Sequence, residues 1–351
     1  MPLPNETSPL SVTPGSIRFN TDSMKLEYYR GGPVGFGTTT QTGEWVNLTT
    51  DSPDIQTGGA RGVFGGGYNN VPAYAAINTI EYITISTTGN TIDFGDITTN
   101  PVFGNFSACS SSTRGLFMGG EPNTTQISSI TFSSTGNSST FGQLTLARRG
   151  LGGLSNSTRG LAVNGFASAR DNTIDYVTIA SNGNAVDFGD TLSPSFGPGC
   201  CASSTRGIIA GGSTPLGLVN VIQFVTISTT GNTADFGDLS SIISSTASCS
   251  NSIRGLFGGS NPTASNTIDY ITISTAGNSF DFGDLTVARS VLTACSSSIR
   301  GVFGGGSISP GYSNILDYVT IMSTGNAIDF GDLVQGRSNF GACSNGHGGL
   351  G

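Results

Sequence analysis

The chain has 351 residues, 53 of them Gly, roughly twice the usual share. Charged residues are 10%, against about 25% in an ordinary soluble protein. Lys25 is the only Lys and the formal net charge is −8, which argues against a nucleic-acid partner, because neutralising phosphates takes dense Lys and Arg. No run of 18 apolar residues occurs, so membrane insertion is not expected. Residues 1–14 lack the basic and apolar stretches of a signal peptide, and none is expected. Gly, Ser, Thr and Asn dominate over helix formers, while Val, Ile and Phe recur evenly; the chain reads as all-β and ordered.

Residues 1–14, with Pro2, Pro4, Pro9 and Pro14, read as an extended arm without its own core. Residues 15–56 read as a small β-module and linker. The segment from Gly15 to Tyr29 gives two alternating strands turning at Asn20-Thr21-Asp22-Ser23, and Glu44-Trp45-Val46-Asn47-Leu48 follows a Gly-rich loop. The phrases Gly-Ser-Ile-Arg-Phe-Asn-Thr, Lys-Leu-Glu-Tyr-Tyr and Glu-Trp-Val-Asn-Leu resemble a small β-module of bacteriophage tail fibres and other virion appendages. That resemblance covers about 34 residues. It implies a virion structural protein that docks other virion proteins through its N-terminal region. Ile17, Phe19, Leu26, Tyr28 and Trp45 would serve attachment and oligomerisation, with a homotrimer implied.

From residue 57 to 351 one unit recurs six times. The phrase Gly-Asn-x-x-Asp-Phe-Gly-Asp places its Phe at Phe94, Phe141, Phe188, Phe236, Phe282 and Phe330, spaced by 47, 47, 48, 46 and 48. An Arg-Gly phrase starts at Arg61, Arg114, Arg159, Arg206, Arg254 and Arg300. Between them lies Ile-Asp-Tyr-Val-Thr-Ile or a variant, as at Ile268–Ile273. Each phrase reads as a strand, and a fourth precedes each Arg-Gly, as in Ser290–Ser297. Four short strands per unit of 40–50 residues predict a six-bladed β-propeller. The layout is similar to kelch-type propellers over roughly residues 57–346, with Phe where that family has a late Trp. Gln56-Thr57-Gly58-Gly59 is a poor strand, whereas Arg337–Ser344 is a spare one. The C-terminal segment is therefore expected to complete the blade begun at Arg61.

Candidate chemistry is sparse. Cys109, Cys201, Cys249, Cys295 and Cys343 each occupy the position taken by Leu154 in another unit, so they read as apolar filler. His347 is the only His, which leaves neither a metal set nor a copper site, and no cofactor is expected. The Asp-Phe-Gly-Asp acids read as turn caps or as partners of the Arg-Gly arginines, which would make repeated structural bonds; an ion bound by the Asp pairs or by the Arg ring is the sharper alternative. No acid stands out from the repeat as a glycosidase pair would, so an enzyme is not expected. The segments after each Gly-Gly vary most and are expected on one face of the ring. Tyr68, Asn69, Tyr74, Phe166 and Tyr312 in them are candidates for contact with a host-surface glycan or protein. The expected protein is a virion component, a tail fibre or a capsid-associated decoration; a secreted kelch-like lectin or glycan-active enzyme is the alternative.

Overall fold

The computed structural model describes residues 16–20, 25–31, 43–47, 60–69, 75–98 and 104–350. The chain divides into two compact units, Met1–Ile55 and Gln56–Gly351. The Pro-rich arm lies outside the described residues. In the first unit, Ile17–Asn20, Lys25–Gly31 and Gly43–Asn47 form a three-stranded antiparallel sheet. The Trp45 segment thus adds a third strand to the expected hairpin.

The second unit is a six-bladed β-propeller of four-stranded antiparallel sheets. Blade 1 takes its first strand from the C-terminal segment: Gly341–Ser344 pairs with Arg61–Gly65, with Cys343 opposite Val63, and Thr79–Thr84 and Ile92–Asp96 follow. Blade 2 is Ser107–Ser110, Arg114–Met118, Thr124–Thr131 and Ser139–Arg148. Blade 3 is Gly152–Ser155, Arg159–Phe166, Arg170–Thr178 and Val186–Ser195. Blade 4 is Gly199–Ala202, Arg206–Ala210, Val221–Thr226 and Ala234–Asp238. Blade 5 is Ala247–Ser250, Arg254–Gly258, Ser265–Thr272 and Phe280–Arg289. Blade 6 is Thr293–Ser296, Arg300–Gly304, Ile315–Thr320 and Ile328–Asp332. The first strands touch one another in a closed circle around the axis. They are shorter than expected: residues 290–292 and 337–340 go instead to turns and seam contacts, described below.

The apolar core lies between blades. Six buried clusters each join two neighbouring sheets, as where Phe94 and Ile97 of blade 1 meet Phe106, Phe117 and Phe132 of blade 2. One recurrent contact explains two phrases together. Cys109, Cys201, Cys249, Cys295 and Cys343, and Leu154 in the sixth seam, each pack over the Arg-Gly glycine of the next blade. A Cβ on that glycine would lie 2.7 Å from Cys249 Sγ at Gly301, 2.6 Å from Cys109 at Gly160, and 2.7 Å from Leu154 at Gly207. The glycine is there for closeness of approach, and the thiols are buried and free. Burial pushes the Cys201 and Cys343 thiols up to about 12.

Each Arg-Gly arginine crosses the same seam. Its Nη1 donates to a carbonyl of the next blade: Arg61 to Phe132 (2.6 Å), Arg159 to Ile227 (3.0 Å), Arg206 to Ile273 (2.8 Å). The other three reach Ile179, Ile321 and, closing the circle, Ile85. The guanidinium covers the third-strand aromatic, at 4.5 Å for Arg254 over Tyr270, and that ring meets the fourth-strand Phe edge-on. Blade 2 has Ser129 at this position, and Arg114 lies over Phe141 instead, at 5.6 Å.

The Asp-Phe-Gly-Asp phrase acts through its backbone. The Gly-Asn turn of the next blade docks on it: Gly277 N–H donates to Phe236 O (2.7 Å), and Asp238 N–H donates to Asn278 Oδ1 (3.0 Å). Gln143 N–H makes the same bond to Asn184, so blade 2 keeps this contact without the acids. Among the described residues no ion pair joins these acids to the Arg-Gly arginines, contrary to expectation; carbonyls are nearer to each guanidinium.

The ion pairs lie elsewhere in the seams. Arg148 binds Asp175 (2.8 Å) and Asp171 (2.9 Å) of blade 3, Arg289 binds Asp317 of blade 6, and Arg337 binds Glu81 of blade 1. All three guanidinia are fully buried. Burial lowers the Arg337 pKa to about 10, which leaves it charged at neutral pH.

Two stability predictions follow from these contacts. Gly301→Ala should cost about 1–3 kcal/mol by overpacking, and combining it with Cys249→Ala should cost less than the sum of the single changes. Val291 has φ 55°, a left-handed conformation costly for a β-branched residue. Val291→Asn should raise stability by about 1 kcal/mol in denaturant unfolding.

Candidate functional site

The second strand of every blade ends at the same face of the ring, where the chain turns through left-handed glycines such as Gly66–Gly67, Gly119–Gly120 and Gly305–Gly306. The variable loops leave from there. Their bases bridge the segment that enters the first strand of the same blade: Tyr68 with Ser338, Glu121 with Gly104, Phe166 with Arg149, Ser213 with Phe196. All the loops therefore surround the axis at one end.

At that end six equivalent residues, Asn105, Gly150, Gly197, Ser245, Val291 and Asn339, have φ between 49° and 66°. Left-handed turning aims five of the six N–H groups, all but that of Val291, at the preceding blade. Asn105 N–H donates to Asn339 O (2.8 Å), Gly150 to Asn105 (2.6 Å), Gly197 to Gly150 (2.8 Å) and Ser245 to Gly197 (2.7 Å). This collar surrounds a cavity of about 130 Å³ whose lining includes no charged side chain. It continues along the axis into a narrower cavity of about 60 Å³, past the small residues Ala108, Gly153, Cys200, Ser248, Ala294 and Ala342.

The far end is closed differently. First strands are sheet edges, and edges carry unpaired backbone groups. Serine hydroxyls cap them across the seams: Ser155 Oγ donates to Ser110 O (2.7 Å), Ser110 Oγ to Ser344 O (2.7 Å), Ser250 Oγ to Ala202 O (2.8 Å). Blade 4 has Ala202 in the serine position, and the C-terminal turn Gly348–Leu350 sits there. His347 Nε2 donates to Ser110 O (2.8 Å), and its Nδ1 accepts from Gly349 N–H (3.1 Å). Gly348 lies against carbonyls of Ala202 and Asn251, and Gly349 against that of Ser155; a Cβ on either would collide with them. His347 and these glycines thus span the strands of blades 2 to 5. The axial cavity opens on the loop face and is stopped at the other by the chain's own terminus.

Neither a protein-family model nor a curated protein matches the chain.

The loop candidates are placed unevenly. Tyr68 and Asn69 are buried, with Asn69 Nδ2 donating to Gln335 Oε1 (2.8 Å), so neither offers a flat stacking surface. Phe166 is half-buried beneath the Arg149 guanidinium, 5.2 Å from its ring, and Arg149 also faces Glu121 at 3.5 Å. Tyr312 is half-buried, and Tyr74 lies outside the described residues. Leu216, at the tip of the Ser213–Leu218 hairpin, is fully exposed. In the N-terminal sheet, Ile17 pairs with Tyr28 and Phe19 with Leu26, while Trp45 pairs with Tyr29, one residue out of phase. Ile17 is exposed, Tyr28 half-buried, and the alternate residues Glu27 and Tyr29 buried, with Arg18 Nε on Glu27 Oε2 at 2.8 Å. An anion on an axial Arg ring does not fit: the Arg-Gly arginines belong to second strands, one strand away from the axis, and none lines the axial cavity.

The collar, the terminal plug and the buried arginines were not foreseen. The collar positions are Asn, Gly, Gly, Ser, Val and Asn, a mixture without a repeat signature. Their one signal is position: each stands two residues before a first strand.

Burial lowers the His347 pKa below its usual 6.5, with the Ser110 carbonyl acting against that shift. A depressed folded-state pKa means that the unfolded chain binds the proton more readily. The stabilisation is complete above about pH 6.5 and declines as pH falls towards the folded-state value. Thermal unfolding between pH 7.5 and 5 should show this decline, and His347→Gln should flatten it.

Proposed function

We propose that this chain is a structural protein of a bacteriophage virion, a tail-fibre component that displays its propeller for host-surface binding to a glycan or protein. The N-terminal phrases support the appendage reading, and the unit Met1–Ile55 is the part that would dock other virion proteins, as a homotrimer. The observation that carries the binding reading is how the repeated chemistry is used. The Arg-Gly arginines, the cysteines and the Gly-Asn turns serve the seams. Outside them stand loops gathered on one face around a charge-free axial cavity. Such a face suits recognition by shape and neutral hydrogen bonding, without catalysis.

A label at the C-terminus would disturb the plug, so an epitope belongs at the Leu216–Gly217 hairpin tip. Immunogold electron microscopy of purified particles should then place gold at the outer end of an appendage. Free protein should compete with particles for adsorption to host cells. Absence of the chain from particles ends the virion reading; absence of competition ends the receptor-binding one.

A further inference from the structure

Resting on the host-surface reading, we infer that the collar cavity on the axis is a binding site for one neutral saccharide unit, such as the terminal residue of a surface glycan.

Size comes first. About 130 Å³ is several times the roughly 10–15 Å³ that one water needs by this measure. The C-terminal turn lies across the far end over blades 2 to 5, so the wider entrance is at the loop face. A ring of one sugar, inserted end-on, suits that shape; an extended chain passing through does not.

Chemistry comes second. The lining contains no charged side chain, so an anionic sugar would lose its hydration without an ionic partner. Asn105, Ser107 and Asn339 line the cavity beside Phe106 and Phe340 on blades 1 and 2, and Phe196 and Pro198 line it from blade 4, across the ring. A pyranose has both kinds of surface: hydroxyls that donate and accept, and an apolar face of C–H groups.

An orphaned group is the third observation. Ser107 is buried, lines the cavity, and its hydroxyl has no hydrogen-bond partner. Buried hydroxyls are rarely left so. The other blades carry Gly, Gly, Ala, Thr and Gly at this position, so Ser107 is not a requirement of the repeat.

The test uses the full chain titrated with methyl glycosides of glucose, galactose, N-acetylglucosamine and glucuronic acid, followed by ligand-observed NMR. At least one neutral glycoside should saturate, with the glucuronide bound at least tenfold more weakly. Ser107→Ala should leave the melting temperature unchanged, because it removes an unpaired group. Asn339→Gly keeps a left-handed turn. Each should weaken binding roughly three- to tenfold, the worth of one neutral hydrogen bond. Ala342→Leu, which fills the narrow part of the axis, should abolish it. Failure of every neutral glycoside, a preference for the glucuronide, or unchanged affinity in Ala342→Leu overturns the inference. Adsorption of the chain to host cells separates the two claims. If cells take up wild type and Ala342→Leu equally, the host-surface reading stands and the saccharide site falls. If sugars bind at the collar and cells do not take up the chain, the site stands and the host-surface reading falls.

Discussion

The seam between neighbouring blades is the constraint on which the molecule depends. A four-stranded sheet has two faces to bury, and in a ring each face meets a copy of nearly the same sheet. The contact must therefore work six times with almost the same residues. It does so through a knob and a hollow: a thiol or Leu154 enters the space above the glycine of the next Arg-Gly. Around that contact the arginine reaches across to a carbonyl, the Gly-Asn turn docks on the preceding Phe-Gly-Asp, and apolar clusters fill the remainder. Because every seam is bonded in one rotational sense, the last must meet the first, and Arg300 on Ile85 completes the circle.

Polar groups inside the seams vary more than the apolar ones. The third-strand position is Glu81, Ser128, Asp175, Gln223, Asp269 or Asp317. Glu81, Asp175 and Asp317 have a buried arginine. Gln223 is instead satisfied by Leu192 N–H (2.8 Å) and Thr233 Oγ1 (2.7 Å). Asp269 accepts from Ser240 N–H, Ser240 Oγ and Ser279 Oγ, each at 2.9 Å. A buried acceptor has to be satisfied, but a cation is one solution among several. Gln223 avoids the desolvation of two charges, and Asp269 that of the arginine.

The axis is managed by small residues and by the terminus. Six first strands present their free edges to one another, and the side chains that face the axis at its narrow level are small: Ala108, Gly153, Cys200, Ser248, Ala294 and Ala342. Serine hydroxyls cap the edges at one level and left-handed turns bind them at another. The C-terminal residues complete blade 1 through Gly341–Ser344 and then stop the axis through His347 and its glycines. Fold closure and the shape of the cavity thus share one short segment.

Blade count, blade limits and the C-terminal closing strand were determined by the sequence itself, because a period near 47 residues with strand phrases in fixed order leaves a ring as the way to bury every sheet. The cysteines as filler were legible for the same reason: Leu154 stands where the others have Cys. Which partners the arginines take was decided only in the tertiary structure. Arg-Gly and Asp-Phe-Gly-Asp recur together in the sequence, yet the nearest acceptor of each guanidinium is a carbonyl on another blade, and acids pair with arginines that belong to no phrase. The collar and the plug were likewise beyond the sequence. They arise where residues far apart in the chain converge on an axis; the collar positions keep the repeat's spacing, but their residue types carry no signature of the role.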